Sequence, residues 1–146
     1  MNKFEKTIVF ITSFLMGSVL VRFAISKLAA WEISVNAFIE MAKPLGIDPT
    51  FFRVSTGFLI SAVMLSYFLN AIYTLFQNKV FFNAQLNYNK FSLFANAFGL
   101  LTMVGALLSE FFLRVQPKWL LVYIAIGIIV FSLVNILIIN KKSTKI

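Results

Sequence analysis

A chain of 146 residues that is 60% hydrophobic, with a mean hydropathy of +0.91, is too apolar for a soluble domain, where apolar content is usually about half. The net charge of +8 is carried by cations in the gaps between apolar runs and at the tails. That placement matches topology signals and contact with anionic headgroups, and no stretch offers the basic, aromatic-interleaved face of a nucleic-acid binder. With no Cys and no His, the chain excludes thiol–disulfide exchange, Cys-ligated iron–sulfur clusters, Cys/His zinc sites, His-ligated haem and Ser-His or Cys-His nucleophile pairs. Redox work here needs a diffusible cofactor such as a quinone, or a partner subunit.

In chain order, residues 1–6 are short and basic, and residues 7–28 form an apolar run broken only by Arg22 and Lys27. At about 1.5 Å per residue this run crosses a hydrocarbon core of about 30 Å. A basic start before an apolar run also resembles a signal peptide, but Arg22 interrupts it and no small-residue cleavage site follows, so a retained span is expected. Residues 31–43 read as an amphipathic helix lying in the interface. Trp31, Val35, Phe38, Ile39 and Ala42 share one face, and Glu32, Asn36, Glu40 and Lys43 the other.

Residues 44–49 read as a turn, with Asp48 capping the next helix and Pro49 at its first position. Residues 51–76 are the second span, with Arg53 near its start. Residues 77–90 read as a polar connection, 91–113 as the third span with Glu110 near its far end, 114–118 as a tight turn, and 119–139 as the fourth span. The expected fold is an all-α membrane protein: one domain, four transmembrane helices in an up-down-up-down bundle, and an interfacial helix between the first two spans. Lys3, Lys6, Lys79, Lys90, Lys141, Lys142 and Lys145 on the side of both termini predict a cytoplasmic N- and C-terminus. Small residues spaced i, i+4 (Ser13/Gly17, Gly57/Ser61, Ala95/Gly99, Gly105/Ser109) offer close-packing faces.

No catalytic dyad, phosphate loop or metal-ligand cluster stands in the sequence. The candidate ligand-binding residues are the charges near the outer end of the spans: Arg22, Lys27, Arg53 and Glu110. A charge inside a span needs a partner and marks a functional site by default. The expected pair is Arg22 with Glu110, with Arg53 or Arg114 as competing partners; outward snorkelling of Arg22 and Lys27 is the alternative. The helix at 31–43, through Trp31, Glu32, Asn36, Glu40 and Lys43, is the candidate partner surface, or a cover for the outer mouth. A transporter is the other functional class, although residues 62–66 and 127–131, at the centres of the second and fourth spans, are nearly all apolar.

The segment G-x-x-x-x-R-F-A-I-S-K-L (from Gly17 to Leu28), followed by F-x-x-M-A-x-x-L-G-I-x-P (from Phe38 to Pro49) and then Gly57 early in a span, resembles the DoxX-like family of small four-helix membrane proteins. The chain departs from that pattern at Ala24, where glycine is frequent, and at Ile60 or Ser61, where the family often has a glutamate; its C-terminal signature is missing. Some members of that family are similar to the membrane subunit of a thiosulfate:quinone oxidoreductase, and others to membrane partners of redox or assembly systems. The resemblance transfers Lys27 and the segment 38–46. It implies an accessory subunit of a bacterial inner membrane, in contact with the lipid bilayer and a protein partner, that binds quinone or lipid at its outer mouth without an enzymatic role of its own.

Overall fold

The computed structural model describes residues 1–76 and 85–144, apart from the side chains at 85–87, 142 and 143. The described residues form five helices and no strand: α1 (Lys3–Leu28), α2 (Glu32–Ala42), α3 (Pro49–Phe76), α4 (Gln85–Phe112) and α5 (Trp119–Ser143). All but α2 are long and apolar enough to cross a membrane. Cross-helix pairs fix their directions. Ser13 meets Asn70 while Lys27 meets Arg53, so α1 and α3 are antiparallel. Thr74 with Tyr88 and Tyr67 beside Gly99 do the same for α3 and α4. Asn96 with Asn135 sets α4 against α5. The four spans thus run up-down-up-down, with both termini at one end (the inner end) and α2 at the other (the outer end).

Local chemistry sets the boundaries. α1 begins at Lys3, four residues before the apolar run, because Asn2 and Glu5 form a reciprocal capping box: the Glu5 N–H donates to Asn2 Oδ1 at 2.8 Å and the Asn2 N–H to Glu5 Oε2 at 3.1 Å. It ends with Ala30 in the left-handed region at φ 54° and the Trp31 N–H donating back to the Ser26 carbonyl at 3.0 Å, a C-cap normally built on glycine. Gly46, at φ 64°, turns the chain after α2. As the sequence predicts, Asp48 caps α3, accepting from the Phe51 N–H at 2.8 Å, with Pro49 as the first helical residue.

Two expectations are corrected. Residues 85–90, read as part of a polar connection, are the first turns of α4: the Tyr88 phenol reaches the Thr74 hydroxyl at 2.9 Å and Asn89 is buried, while Lys90 is exposed. Residues 77–84 with Lys79, Lys145, and the side chain of Lys142 lie outside the described residues. The apolar face of α2 is also rotated from the one expected. Ser34, Phe38, Met41 and Ala42 are buried, whereas Trp31 and Ile39 join Ile33 on the exposed side. Glu32, Asn36 and Lys43 are exposed, as the interfacial reading requires.

The core divides by depth. The outer half is apolar, built from Leu20, Ala24, Ile60, Val63, Met103 and Ile128. Close approach occurs where glycines lie: Gly57 under Leu28 and Lys27, Gly17 against the Phe68 ring, and Gly99 under the Tyr67 phenol. A Cβ at Gly105 would meet nothing within 4 Å, so no neighbouring helix approaches closely there. The inner half is hydrogen-bonded instead. The windows 62–66 and 127–131 give Val63 and Ile128 to the interior, and the polar half starts one residue later, at Tyr67 and Ser132, whose hydroxyls share a hydrogen bond of 2.7 Å. Deeper toward the inner end, Asn70 donates to Ser13 at 2.8 Å, Asn135 donates to Asn96 at 3.1 Å, and the Thr12 hydroxyl lies 2.9 Å from Asn135 Oδ1. Ser13, Asn70, Thr74, Asn96, Ser132 and Asn135 are all 0% exposed.

Candidate functional site at the outer mouth

At the outer end, α1, α2, α3 and the α4–α5 turn bring five charged side chains together. Glu110, 5% exposed on the last turns of α4, accepts from Arg114 at 3.2 and 3.3 Å and from the Lys118 backbone N–H at 3.0 Å. Arg114 also faces Glu40 of α2, Nε to Oε2 3.6 Å, and Glu40 in turn accepts from the Val115 N–H at 2.7 Å. The Glu40 carboxylate is therefore a fastening between α2 and the α4–α5 turn, and Glu40 is not available to a partner as the rest of that helix's polar face is.

Arg53 is buried at the start of α3 and donates to the carbonyl of Lys27. That carbonyl is among the last of α1, where helix carbonyls lack intrahelical donors, so the guanidinium closes the end of α1 and holds Lys27 in place. The Lys27 side chain is half-buried, its ammonium 5.5 Å from the centroid of the Phe23 ring and 5.8 Å from that of Phe38. Phe38 is fixed in turn by Phe52, edge-on with ring centroids 5.0 Å apart. Glu110 attracts the ammonium through space but forms no ion pair with it. Among the described residues Lys27 has no hydrogen-bond acceptor.

Arg22 is elsewhere. It is exposed on the lipid-facing side of α1 and pairs with no described residue, so the expected Arg22–Glu110 pair is not formed. The reason is rotational: at 100° per residue, positions 22 and 27 lie about 140° apart on one helix, and packing on α3 at Gly57 turns Lys27 inward. Glu110 takes the competing partner Arg114, four residues on. Lys27, Arg53 and Glu110 are thus gathered at the mouth and Arg22 is not. The residues missed in the sequence are Phe23 and Phe38 as walls around Lys27, and Glu40 as a cross-link; the i, i+4 spacing of Glu110 and Arg114 was the available signal for their pair.

Three cations (Lys27, Arg53, Arg114) face two carboxylates (Glu40, Glu110), leaving the mouth with one uncompensated positive charge. Both carboxylates and the Arg53 guanidinium have protein partners; the unmet donors of the mouth are the buried Arg114 Nε, which lies 3.6 Å from Glu40 without a hydrogen bond, and the Lys27 ammonium, which is the more exposed of the two to a ligand. A cation with three unmet donors between aromatic walls fits a carbonyl, carboxylate or phosphate oxygen on an amphiphile, including the oxygen of a quinone. No group of three or more His, Cys, Asp or Glu side chains that could hold a metal occurs among the described residues.

Fold and mouth together define the class: an all-helical integral membrane protein of four spans with a short helix set across its outer end. No family model, curated protein or solved structure matches the chain.

Proposed function

We propose that this chain is a DoxX-like accessory subunit of a bacterial inner-membrane redox or assembly complex, with both termini cytoplasmic, that holds an amphiphile by its oxygen-bearing head at the outer mouth. A quinone carbonyl and an anionic lipid headgroup share the required chemistry. The observation that carries this reading is Lys27: a half-buried ammonium, walled by Phe23 and Phe38, with no acceptor among the described residues. Leaving such a group unmet costs free energy that an acceptor oxygen removes. Glu110 balances the charge, Arg53 positions Lys27, and Arg114 locks Glu110 in place. A groove of about 350 Å³ on the α1/α3 flank, walled by Val21, Ala24, Ile25 and Met64 just below Leu28, suits an acyl or isoprenoid tail. Lys3, Lys6, Lys90 and Lys141 at the inner end support the cytoplasmic termini.

The test is purification in mild detergent followed by mass spectrometry of every co-eluting small molecule and protein, for the natural chain and Lys27→Met. Retention of a quinone or of one lipid class by the natural chain, lost in Lys27→Met while Arg22→Ala keeps it, is the expected result. Equal retention by all three chains overturns the assignment. A stoichiometric protein partner with no retained small molecule instead favours a scaffold docked through the exposed Trp31, Glu32, Asn36 and Lys43 of α2.

A further inference from the structure

The spans associate as two close pairs, α1 with α3 and α4 with α5, and contact across the two pairs is thinner. Outside, the pairs are fastened by charge, through Glu40, Arg114 and the Val115 N–H. Inside, the described cross-pair hydrogen bonds are between neutral groups, and the last of them before the inner end is Thr74 with Tyr88. Each pair also satisfies amides within itself, Asn70 with Ser13 and Asn135 with Asn96.

Two buried groups of the inner half are left over. The Asn70 carboxamide donates to Ser13, yet its Oδ1 has no donor although the residue is 0% exposed. Exchanging its oxygen and nitrogen moves the orphan without removing it. At membrane depth an unmet amide costs several kcal/mol, and irregular polarity persists there only where something polar lies against it. The register that sets Thr74 at Tyr88 and Tyr67 at Gly99 puts Asn70 opposite the Ser92–Asn96 stretch of α4. There the fully buried Ser92 hydroxyl lies beside the Tyr88 phenol without hydrogen-bond geometry to any partner. Two orphans thus stand at one level on facing helices, one an acceptor and one both donor and acceptor. Among the described residues no Asp, Glu, Lys or Arg is buried at this depth. Toward the outer side the seam is shut by Tyr67, which bonds Ser132 across the pairs while its phenol covers Gly99, and beyond it by Val63, Met103 and Ile128.

We propose that the inner half of the seam between the helix pairs is a blind vestibule for small uncharged hydrogen-bonding solutes, water being the smallest, entered past Tyr88 from the side of the termini, with Asn70 as its binding group and Tyr67 as its floor. The absence of buried charge among the described residues selects against ions, and the described cross-pair bonds toward the inner end are neutral, unlike the ion pairs outside. This reading is independent of the outer mouth.

The chain has no Cys, so single thiols can be placed without further change. Ser92→Cys and Ser132→Cys are near-isosteric; Met103→Cys, in the apolar outer core, is the dry reference, and the exposed Thr144→Cys the wet one at the inner end. Full-length chain in sealed vesicles is treated from either side with a small uncharged methanethiosulfonate while an impermeant thiol on the opposite side scavenges what crosses; the reagent reacts only with a thiolate and therefore only where water reaches. Ser92→Cys is expected to react from the side of the termini only, more slowly than Thr144→Cys, and Ser132→Cys more slowly still, while Met103→Cys stays unlabelled. Adding Asn70→Leu to Ser92→Cys slows labelling about tenfold, the weight of one hydrogen bond in an equilibrium. If Ser92→Cys stays unlabelled where Thr144→Cys is complete, the seam is a dry staple and the proposal falls. It falls equally if labelling comes from the opposite side, or if Met103→Cys reacts as fast as Ser92→Cys.

Discussion

Replacing Arg114 with methionine tests whether the outer mouth is held by its ion pairs. The guanidinium supplies both oxygens of Glu110 at 3.2 and 3.3 Å and faces Glu40 at 3.6 Å; the side chains are 15% (Arg114), 7% (Glu110) and 33% (Glu40) exposed. Removing one partner of a buried pair usually costs about 3–5 kcal/mol, because the other charge stays buried and unpaired. The distances exceed the roughly 2.7–2.9 Å of the strongest charge-assisted bonds, and Lys118 keeps one hydrogen bond on Glu110, so the lower end applies, about 3 kcal/mol. The Glu40 contact, a third exposed and long, adds less than about 1 kcal/mol. Glu110→Leu alone leaves Arg114 with Glu40 and costs about 2 kcal/mol. The double variant removes both charges together and should cost about 2 kcal/mol instead of the sum of about 5, a coupling of about 3 kcal/mol. Reversible unfolding in mixed micelles reads this directly, since Trp31 and Trp119 both lie at the outer end and report by fluorescence. Additive single-variant losses would show that Arg114 and Glu110 contribute separately and that the mouth is not a coupled unit.

The two glycines of α4 give a matched pair. A Cβ at Gly99 would lie 1.8 Å from the phenol oxygen of the fully buried Tyr67, so Gly99→Ala should cost about 1–3 kcal/mol by overpacking, whereas Gly105→Ala, in open space, should be neutral or mildly stabilising in the same unfolding assay. Ala30 holds a left-handed conformation at φ 54° that disfavours a side chain by about 1–2 kcal/mol. Ala30→Gly should therefore stabilise the chain by about 0.5–1 kcal/mol after the added freedom of the unfolded state is subtracted, and a loss of stability would contradict that backbone account. Asp48→Ala, which removes the cap on the Phe51 N–H, should cost about 1 kcal/mol, and Asp48→Asn should restore most of it.

What could be read from the sequence was what local chemistry decides. Hydropathy runs locate four spans, and Asp48-Pro49 marks a helix start because cap and proline act on their own first turn. The same local logic, applied to Asn2 and Glu5, would have placed the start of α1. What escaped depends on rotation about a helix axis, which neighbouring helices set. Arg22 and Lys27 are five residues apart and equally plausible as the inward charge until α3 packs at Gly57 and chooses. The α2 face turned for the same reason, Met41 replacing Ile39 in the interior. Average polarity also misleads where a helix is polar on its buried side. Residues 85–90 lack a hydropathy signal because Tyr88 and Asn89 look inward, and the apolar windows of the second and fourth spans end one residue short of Tyr67 and Ser132.

The way amides are matched has a consequence for biosynthesis. Asn70 finds Ser13 on the helix packed beside its own, and Asn96 finds Asn135 likewise. A ribosome delivers α1 to α3 before α4 and α5, so the first pair can settle in the bilayer with a polar partner before the second exists. The later pair brings its own match and needs only to dock, Arg114 and the Val115 N–H arriving at a Glu40 already anchored beside α3. The two halves, translated as separate polypeptides in one cell, are thus equipped to insert independently and reassemble, with Glu40 of α2 as the point of first engagement.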